Sequence, residues 1–144
     1  MTLGRLAVPV LRQVLFADDI ANLVCVNANG LRERRKRLML YKLLHDLQAA
    51  LCVVTETHLR EEELSWFATE AYYRVTEYCR VIPPGVRPGG GVLILVHRHF
   101  SAKKLPRNVS IQEDIEHCSC LFYPTPSPKT ALRITGVYIP PPKI

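Results

Sequence analysis

The sequence predicts a mixed α/β domain of the α+β class. Apolar runs of strand length alternate with one amphipathic stretch, and the later apolar runs are separated by turn residues. A chain of 144 residues with an apolar fraction of 48% is long enough to bury the core of one domain. We therefore expect a fold made mainly of strands, with helices packed outside them.

A βαβ unit is predicted near the start of the domain. The runs "NLVCV" at 22–26 and "ALCVVT" at 50–55 have the length and apolar content of buried strands. Between them, residues 33–48 read "ERRKRLMLYKLLHDLQ", in which apolar residues recur at helical spacing. Two strands joined by a helix run parallel, so their carboxyl ends meet at the same edge of a sheet.

The second part of the chain predicts strands joined by loops. We expect a strand at 72–77, a loop at "PPGVRPGGG" and a central strand at "VLILVHRHF". The runs "EHCSCLFYP" and "ALRITGVYIPP", separated by the turn "TPSPKT", predict a β-hairpin.

Residues 1–20 have no clear periodicity, and we predict an N-terminal extension there, with one helical turn at about 11–16, before a domain at 21–144. The apolar run of this extension is short and is broken by Pro9, so we expect neither a secretory signal nor a membrane span. A nuclear or cytoplasmic protein that is not secreted is the expectation.

Charge and cysteine content point in the same direction. A net charge of +6 and a pI near 9.2 favour a polyanionic partner, because phosphate arrays attract scattered Lys and Arg. Five cysteines, an odd number without the paired spacing of zinc sites, indicate reduced thiols. Cys118 and Cys120 share one face of a strand, but no further ligands at fitting positions complete a zinc site.

Polar residues follow three of the predicted strands. Asn27 and Asn29 come after the first strand, in "VNANGL", and Glu56 comes after the second, in "VVTETH". Tyr138 stands at the far end of the last strand, just before prolines. The βαβ geometry places the first three at one edge of the sheet, and we expect Tyr138 to join them there.

Each of these residues has a structural interpretation beside a functional one. Asn tolerates the left-handed angles of turns, a strand-end carboxylate is often only hydrated, and a tyrosine commonly caps a core. The functional interpretation is a site where carboxylate and amide oxygens meet a metal ion and a phenol donates to a phosphate oxygen. The residues alone leave both interpretations open.

Four motifs carry a resemblance to a known family. The segments "VNANGL", "VVTETHL", "GGGVLILV" and "RITGVYIPP" occur in this order between about residues 22 and 142. Together they resemble the first half of the endonuclease/exonuclease/phosphatase superfamily. They are most similar to the apurinic-type endonuclease domains of non-LTR (LINE-type) retrotransposons, whose patterns run N-x-N-G or N-x-D-G, Q-E-T-x, G-G-V-x-I and x-Y-x-P.

The resemblance implies a Mg²⁺-dependent hydrolase that attacks phosphodiesters with water and whose parent protein nicks DNA. It implies that Glu56 is a metal ligand, with Asn29 near the same ion. It further implies that Asn27 organises the metal and the catalytic carboxylates, and that Tyr138 contacts the scissile phosphate. Thr55 departs from the pattern, because the family usually has Gln at that position.

The family also uses a Gly-Asp-x-Asn element and a Ser-Asp-His element, and neither occurs in these 144 residues. We therefore expect the N-terminal half of such a domain: a partial four-layer α/β/β/α sandwich, with one mixed sheet, flanking helices and the second half missing. One apolar sheet face should then lack a partner, which predicts self-association through that face. Alone, this chain should bind Mg²⁺ weakly or not at all and should have negligible nuclease activity.

A basic run opens the predicted helix. Arg32, Arg34 and Arg35, followed by Lys36 and Arg37, form either a hydrated helix face or a set of contacts to DNA phosphates. Two alternatives to an endonuclease fragment stay open. One is a phosphatase of the same superfamily, and the other is a non-catalytic retroelement remnant that at most binds nucleic acid.

Overall fold

A computed structural model of the chain describes residues 6, 9–16, 19–67 and 69–142. Within these residues the backbone forms eight strands, one α-helix and two short 3₁₀-helices. The strands and the α-helix are β1 (Val10–Phe16), β2 (Asp19–Asn27), α1 (Arg34–Asp46), β3 (Ala49–Thr55), β4 (Tyr72–Tyr78), β5 (Val92–His97), β6 (Ser101–Lys104), β7 (Glu116–Tyr123) and β8 (Leu132–Tyr138). The 3₁₀-helices span Glu61–Trp66 and Pro128–Thr130.

The strands form two sheets. The larger sheet has five strands in the order β1-β2-β3-β5-β4, and the smaller has three in the order β6-β7-β8. Strands β2 and β3 pair in parallel on either side of α1 in the chain, which confirms the predicted βαβ unit. The remaining neighbours pair antiparallel, and β7 and β8 form the predicted hairpin.

Helix α1 covers one face of the five-stranded sheet. Its Leu40 and Leu44 are fully buried and belong to one apolar cluster with Val24, Val54 and Leu95 of the sheet. Burying a side chain of this size contributes about 1.5–3 kcal/mol. The helical spacing of apolar residues in the sequence therefore identified the face that packs on the sheet.

The three-stranded sheet covers the part of the opposite face formed by β3, β4 and β5. Phe122 of β7 is fully buried and lies in a second cluster with Val53 and Ile94 of the larger sheet. At Gly136 of β8, a Cβ would lie 2.8 Å from Val53 Cγ1 and 2.9 Å from Val92 Cγ1. The two sheets thus approach so closely at this position that a side chain would displace its neighbours.

This packing confirms the α+β class and corrects the expectation of one mixed sheet with an uncovered apolar face. The described residues form three layers, namely α1, the five-stranded sheet and the three-stranded sheet. The hairpin of β7 and β8 folds back over β3, β4 and β5 because alternate residues on its inner side are apolar. The face predicted to be uncovered is therefore covered over β3, β4 and β5, and self-association remains a prediction.

Two strands were not predicted. Strand β1 occupies residues where we expected an extension with a helical turn at 11–16, and it pairs antiparallel with β2 at the edge of the larger sheet. Its Val10 and Leu11 are exposed. An exposed strand does not need apolar residues at alternate positions, so its sequence lacks the pattern that predicts a strand. Strand β6 is only four residues long and mostly exposed, which leaves it equally little signal.

In the described part of the chain, no helix has the length and apolar content needed to cross a membrane. All five cysteines are free thiols.

His117 of β7 is a buried polar residue without hydrogen bonds. Its side chain is 2% exposed, and neither ring nitrogen has a hydrogen-bond partner among the described residues. Burial lowers the pKa of His117 below its usual range, and the positive charge of Arg107 lowers it further. The imidazole is therefore neutral in the folded chain at pH 7.

Acidification should consequently weaken the fold through His117. A pKa below the unfolded value means that the contribution to stability is complete above about pH 6.5 and is lost as the pH falls below it. Between pH 7 and pH 5, the free energy of unfolding of the wild type should fall with pH more steeply than that of His117→Leu. The two slopes should differ by up to about 1.4 kcal/mol per pH unit. Urea unfolding at each pH measures it, with the exposed His45→Gln as control. Equal pH dependence in the wild type and His117→Leu would refute this role.

Candidate functional site

The polar residues after β2 and β3 lie at one edge of the larger sheet. Asn27 and Thr55 are register partners at the ends of these parallel strands. Beyond the strands, the backbone N–H of Ala28 donates to Thr55 O at 2.9 Å and that of Gly30 donates to Glu56 O at 2.7 Å. The segment carrying Asn27 and Asn29 is therefore fixed directly beside the segment carrying Glu56.

Tyr138 reaches the same place from the other sheet. Its hydroxyl donates to Glu56 Oε1 at 2.5 Å, a contact between residues 82 positions apart. Burial raises the pKa of Tyr138 to about 12, and the hydrogen bond to the Glu56 carboxylate contributes to the rise. The phenol is therefore protonated at neutral pH and is a hydrogen-bond donor at this edge.

The backbone at this edge adopts left-handed angles that are uncommon for residues other than glycine. The φ angles are 47° at Asn29, 53° at Glu56 and 55° at His58, and Gly30 between the strands has a φ of 93°. Left-handed residues reverse the chain direction sharply, so consecutive side chains leave the strand ends in different directions. Clusters of such residues are typical of functional sites.

Asn27 is partly explained by the turn interpretation. Its Oδ1 accepts a hydrogen bond from the backbone N–H of Asn29 at 3.0 Å, which closes a local turn. Asn29 has an exposed side chain, and its backbone carbonyl accepts from Lys36 Nζ at 2.8 Å. The side-chain amide of Asn27 and the backbone of Asn29 thus shape the loop, and the side chain of Asn29 is exposed to solvent.

Two basic side chains near Glu56 were not assigned to the site from the sequence. Lys36 is buried, and burial lowers its pKa while the carboxylates of Glu33 and Glu56 oppose that effect. His58 is half-buried, and burial lowers its pKa below the usual value, although the Glu56 carboxylate offsets part of this effect. Lys36 belongs to the basic run that starts at Arg32. Only its burial distinguishes it from the other basic residues of the run, and burial was not evident from the sequence.

A second carboxylate lies beside Tyr138. Glu116 is the register partner of Tyr138 across the β7 and β8 pair, and it is buried. Its Oε2 accepts from Arg80 Nε at 2.5 Å, and its Oε1 accepts from the backbone N–H of Gly91 at 2.7 Å. The sequence predicts only a strand at Glu116, because its arginine is 36 positions away and no local pattern joins the two.

The basic run divides into structural and exposed members. Arg32 Nε donates to Glu63 Oε2 at 3.1 Å, and Arg37 Nη1 donates to the carbonyls of Leu31 and Arg32. Arg34 and Arg35 are exposed. Of the three arginines predicted to bind DNA phosphates, Arg34 and Arg35 are therefore presented to solvent, while Arg32 is partly engaged by an acidic partner.

The donor set suits Mg²⁺ in part. In the part of the chain that the structure describes, Tyr138 is the one hydrogen-bond partner of the Glu56 side chain, which leaves Oε2 available. Among the same residues, no group of three or more His, Cys, Asp and Glu side chains could hold a metal ion. One carboxylate with neighbouring amide oxygens fits a Mg²⁺ ion that keeps most of its waters. Glu56 and Asn29 are the residues that would hold it.

A separate groove lies at the opposite edge of the larger sheet. It has a volume of about 890 Å³ and is lined by Tyr41 and His45 of α1, Tyr72 of β4 and His97 of β5, among others. None of the residues predicted from the sequence to form the site lines it. The Glu56 edge is the more specific candidate, because there two sheets bring titratable side chains into direct contact.

No protein-family model matches this chain, and no curated protein is similar to it.

Proposed function

We propose that the chain carries the metal-binding and phosphate-contacting half of a Mg²⁺-dependent phosphodiesterase site. The activity of the whole site would be that of a DNA endonuclease of the retrotransposon type, as the four motifs imply. The isolated chain would bind its substrate without cutting it efficiently.

The observation that carries this proposal is the hydrogen bond between Tyr138 and Glu56. A phenol with a pKa of about 12 is a lasting donor, and its partner is a strand-end carboxylate with one oxygen still available. A solvated carboxylate at a strand end would not require a tyrosine from a second sheet. The pair is the arrangement expected when one group holds a cation and the other donates to a phosphate oxygen.

Each side chain has a distinct task in this proposal. Glu56 supplies the negative charge that attracts the cation. The single O–H of Tyr138, which donates to Glu56 Oε1 in the chain alone, turns to a non-bridging phosphate oxygen when the substrate binds. Lys36 Nζ donates to the backbone carbonyl of Asn29 and so fixes the loop that carries Asn29. Mg²⁺, when bound, neutralises phosphate charge and lowers the pKa of a coordinated water.

A second candidate function is a non-catalytic nucleic-acid-binding remnant. The observation that favours it is that the described residues contain no further carboxylate or histidine grouped with Glu56 in a metal-binding cluster. Orienting a water molecule requires such groups, and general acid-base catalysis is worth about 10²- to 10⁴-fold in rate. The two candidates share the phosphate contact and differ in whether the edge binds a divalent ion.

Binding of Mn²⁺, used as a paramagnetic probe for Mg²⁺, separates these candidates. In an NMR titration of the ¹⁵N-labelled chain, the amides of Gly30, Glu56 and Thr57 should broaden first. Glu56→Gln keeps the shape of the side chain and should abolish that broadening. Glu70→Gln, at the opposite edge, should leave it unchanged. Broadening that persists in Glu56→Gln, or that centres on the groove near His97, would contradict the proposed site.

A further inference from the structure

The glycine-rich loop before β5 holds an arginine against a buried carboxylate. Gly90 and Gly91 have φ angles of 62° and 99°. A Cβ on Gly90 would lie 2.5 Å from Glu116 Oε1 and would also collide with the Arg80 guanidinium, and one on Gly91 would collide with Thr57 Oγ1. Position 90 is therefore glycine because the Arg80 and Glu116 pair occupies the space that a side chain would fill, and at position 91 Thr57 occupies that space.

The carboxylate of this pair is used completely, and the guanidinium is not. Glu116, with a side chain 6% exposed, accepts from both Arg80 Nε and the Gly91 N–H. Arg80 is 36% exposed, and within the described residues its Nη1 and Nη2 groups make no hydrogen bond. A guanidinium has five N–H donors, so up to four remain without a partner among the described residues.

The elements that hold Arg80 also contact the segments that carry Tyr138 and Glu56. Glu116 and Tyr138 are directly opposed on neighbouring antiparallel strands, where Cβ atoms are about 4.5–5.5 Å apart. From the other side, the backbone N–H of His58 donates to Gly90 O at 2.8 Å, which joins the Glu56 segment to the loop under Arg80. Arg80 is thus fixed next to the site by β7 and by the glycine loop.

Arg60 and Lys36, two other basic residues near the loop, do not meet the same conditions. Arg60 donates to the carbonyls of Ile82, Pro83 and Val86, so it is used to fix the loop. Lys36 is buried and donates to the Asn29 carbonyl. Arg80 combines a fixed stem with available donors.

We propose that Arg80 is a substrate-binding residue that binds a phosphate of a nucleic-acid backbone through its Nη1 and Nη2 groups. The substrate class is a phosphodiester, because a planar fork of N–H donors matches two phosphate oxygens. Glu116 orients the fork by holding Nε. This inference rests on the location of the proposed site, but it requires neither a metal ion nor hydrolysis.

The test is the salt dependence of DNA binding by the full chain. A fluorescent DNA duplex is titrated at several salt concentrations, and the slope of log K against log salt is compared between variants. Arg80→Gln should weaken binding by about 3- to 10-fold and reduce the slope by about 0.9, the value of one lost phosphate contact. The exposed Arg133→Gln, on the outer side of β8, is the matched control and should change neither.

Folding must be separated from binding, because Arg80→Gln leaves Glu116 buried without its partner. Arg80→Gln combined with Glu116→Gln removes both charges and keeps an acceptor for the Gly91 N–H. Arg80→Lys keeps the charge and loses the fork. We expect the salt slope of the folded double variant to be reduced by about 0.9, as in Arg80→Gln. Arg80→Lys should keep the wild-type slope and bind DNA more weakly. A wild-type slope in the folded Arg80→Gln variant or in the folded double variant would overturn the proposal.

Two further arms identify the phosphate source and distinguish this inference from the proposed function. A duplex with neutral methylphosphonate linkages should bind the wild type no more tightly than Arg80→Gln binds normal DNA. Inorganic phosphate should compete only weakly with DNA. If inorganic phosphate competes at a concentration equal to that of the DNA phosphates, Arg80 binds free phosphate, and the proposal of a nucleic-acid contact is overturned. Mn²⁺ broadening should survive in Arg80→Gln, so loss of metal binding and loss of the arginine contact are independent results.

Discussion

Replacing Phe122 with alanine is expected to destabilise the chain by about 3–5 kcal/mol. Phe122 is fully buried between the two sheets, and its ring centroid lies 5.4 Å from that of Phe100. Removing the ring leaves a cavity between layers whose backbones are fixed by hydrogen bonds, so the surroundings can close it only in part. Equilibrium urea unfolding, followed by circular dichroism, measures the change.

The control is Val137→Ala on the neighbouring strand β8, where the side chain is 44% exposed. This variant should cost less than about 1 kcal/mol, because little area is taken from water at this position. A loss below about 1 kcal/mol in Phe122→Ala as well would mean that the three-stranded sheet does not cover β3 and β5. The packing of the two sheets against each other, as described above, would then be wrong.

The purified 144-residue chain is expected to nick supercoiled DNA no faster than background in the presence of Mg²⁺. Phosphodiester hydrolysis needs a cation, an oriented water and stabilisation of the developing charge. The described residues supply Glu56, Tyr138 and the guanidinium of Arg80, and they lack a metal-binding cluster around them. Losing general acid-base help alone lowers a rate by about 10²- to 10⁴-fold.

Conversion of supercoiled to relaxed plasmid on an agarose gel measures this activity. A matched sample without Mg²⁺ and one of Glu56→Gln detect contaminating nucleases, which would be unaffected by the substitution. Robust Mg²⁺-dependent nicking by the wild type that disappears in Glu56→Gln would show that the chain is an enzyme by itself.

The βαβ pattern in the sequence predicts where the polar edge forms. Parallel strands joined by a helix place their carboxyl ends together, and the pairing of β2 with β3 brings Asn27 beside the Glu56 segment as this rule requires. Tyr138 was predicted at the same edge from its place at the end of an apolar strand, and its hydroxyl donates to Glu56. Whether these residues act on a metal and a phosphate remains a prediction.

The covering of the sheet could not be predicted in the same way. The strand runs at β7 and β8 predicted a hairpin, but strand patterns do not state whether a hairpin extends a sheet or packs across it. That choice depends on long-range packing, here on small residues such as Gly136 that let the sheets approach. Strand β1 escaped prediction because an exposed edge strand has little alternation to detect.

The Arg80 and Glu116 pair was missed for a different reason. Charged pairs far apart in sequence have no periodic signal, and a lone Glu at the start of a strand usually indicates a solvated end. The signal that was present is the run Gly89 to Gly91, which by composition predicts only a loop. Three consecutive glycines before a buried strand can also mean that other atoms occupy the space of their side chains.

The central claim is that the edge formed by Glu56 and Tyr138 is half of a Mg²⁺-dependent phosphodiesterase site. Its most direct test is a nicking assay on a chain that joins these 144 residues to a second half with Gly-Asp-x-Asn and Ser-Asp-His elements. We expect Mg²⁺-dependent nicking that falls by at least about 10²-fold in Glu56→Gln and is unchanged in Glu70→Gln. Nicking that is equally fast in Glu56→Gln, or a folded joined chain that binds DNA and never nicks it, would contradict the claim.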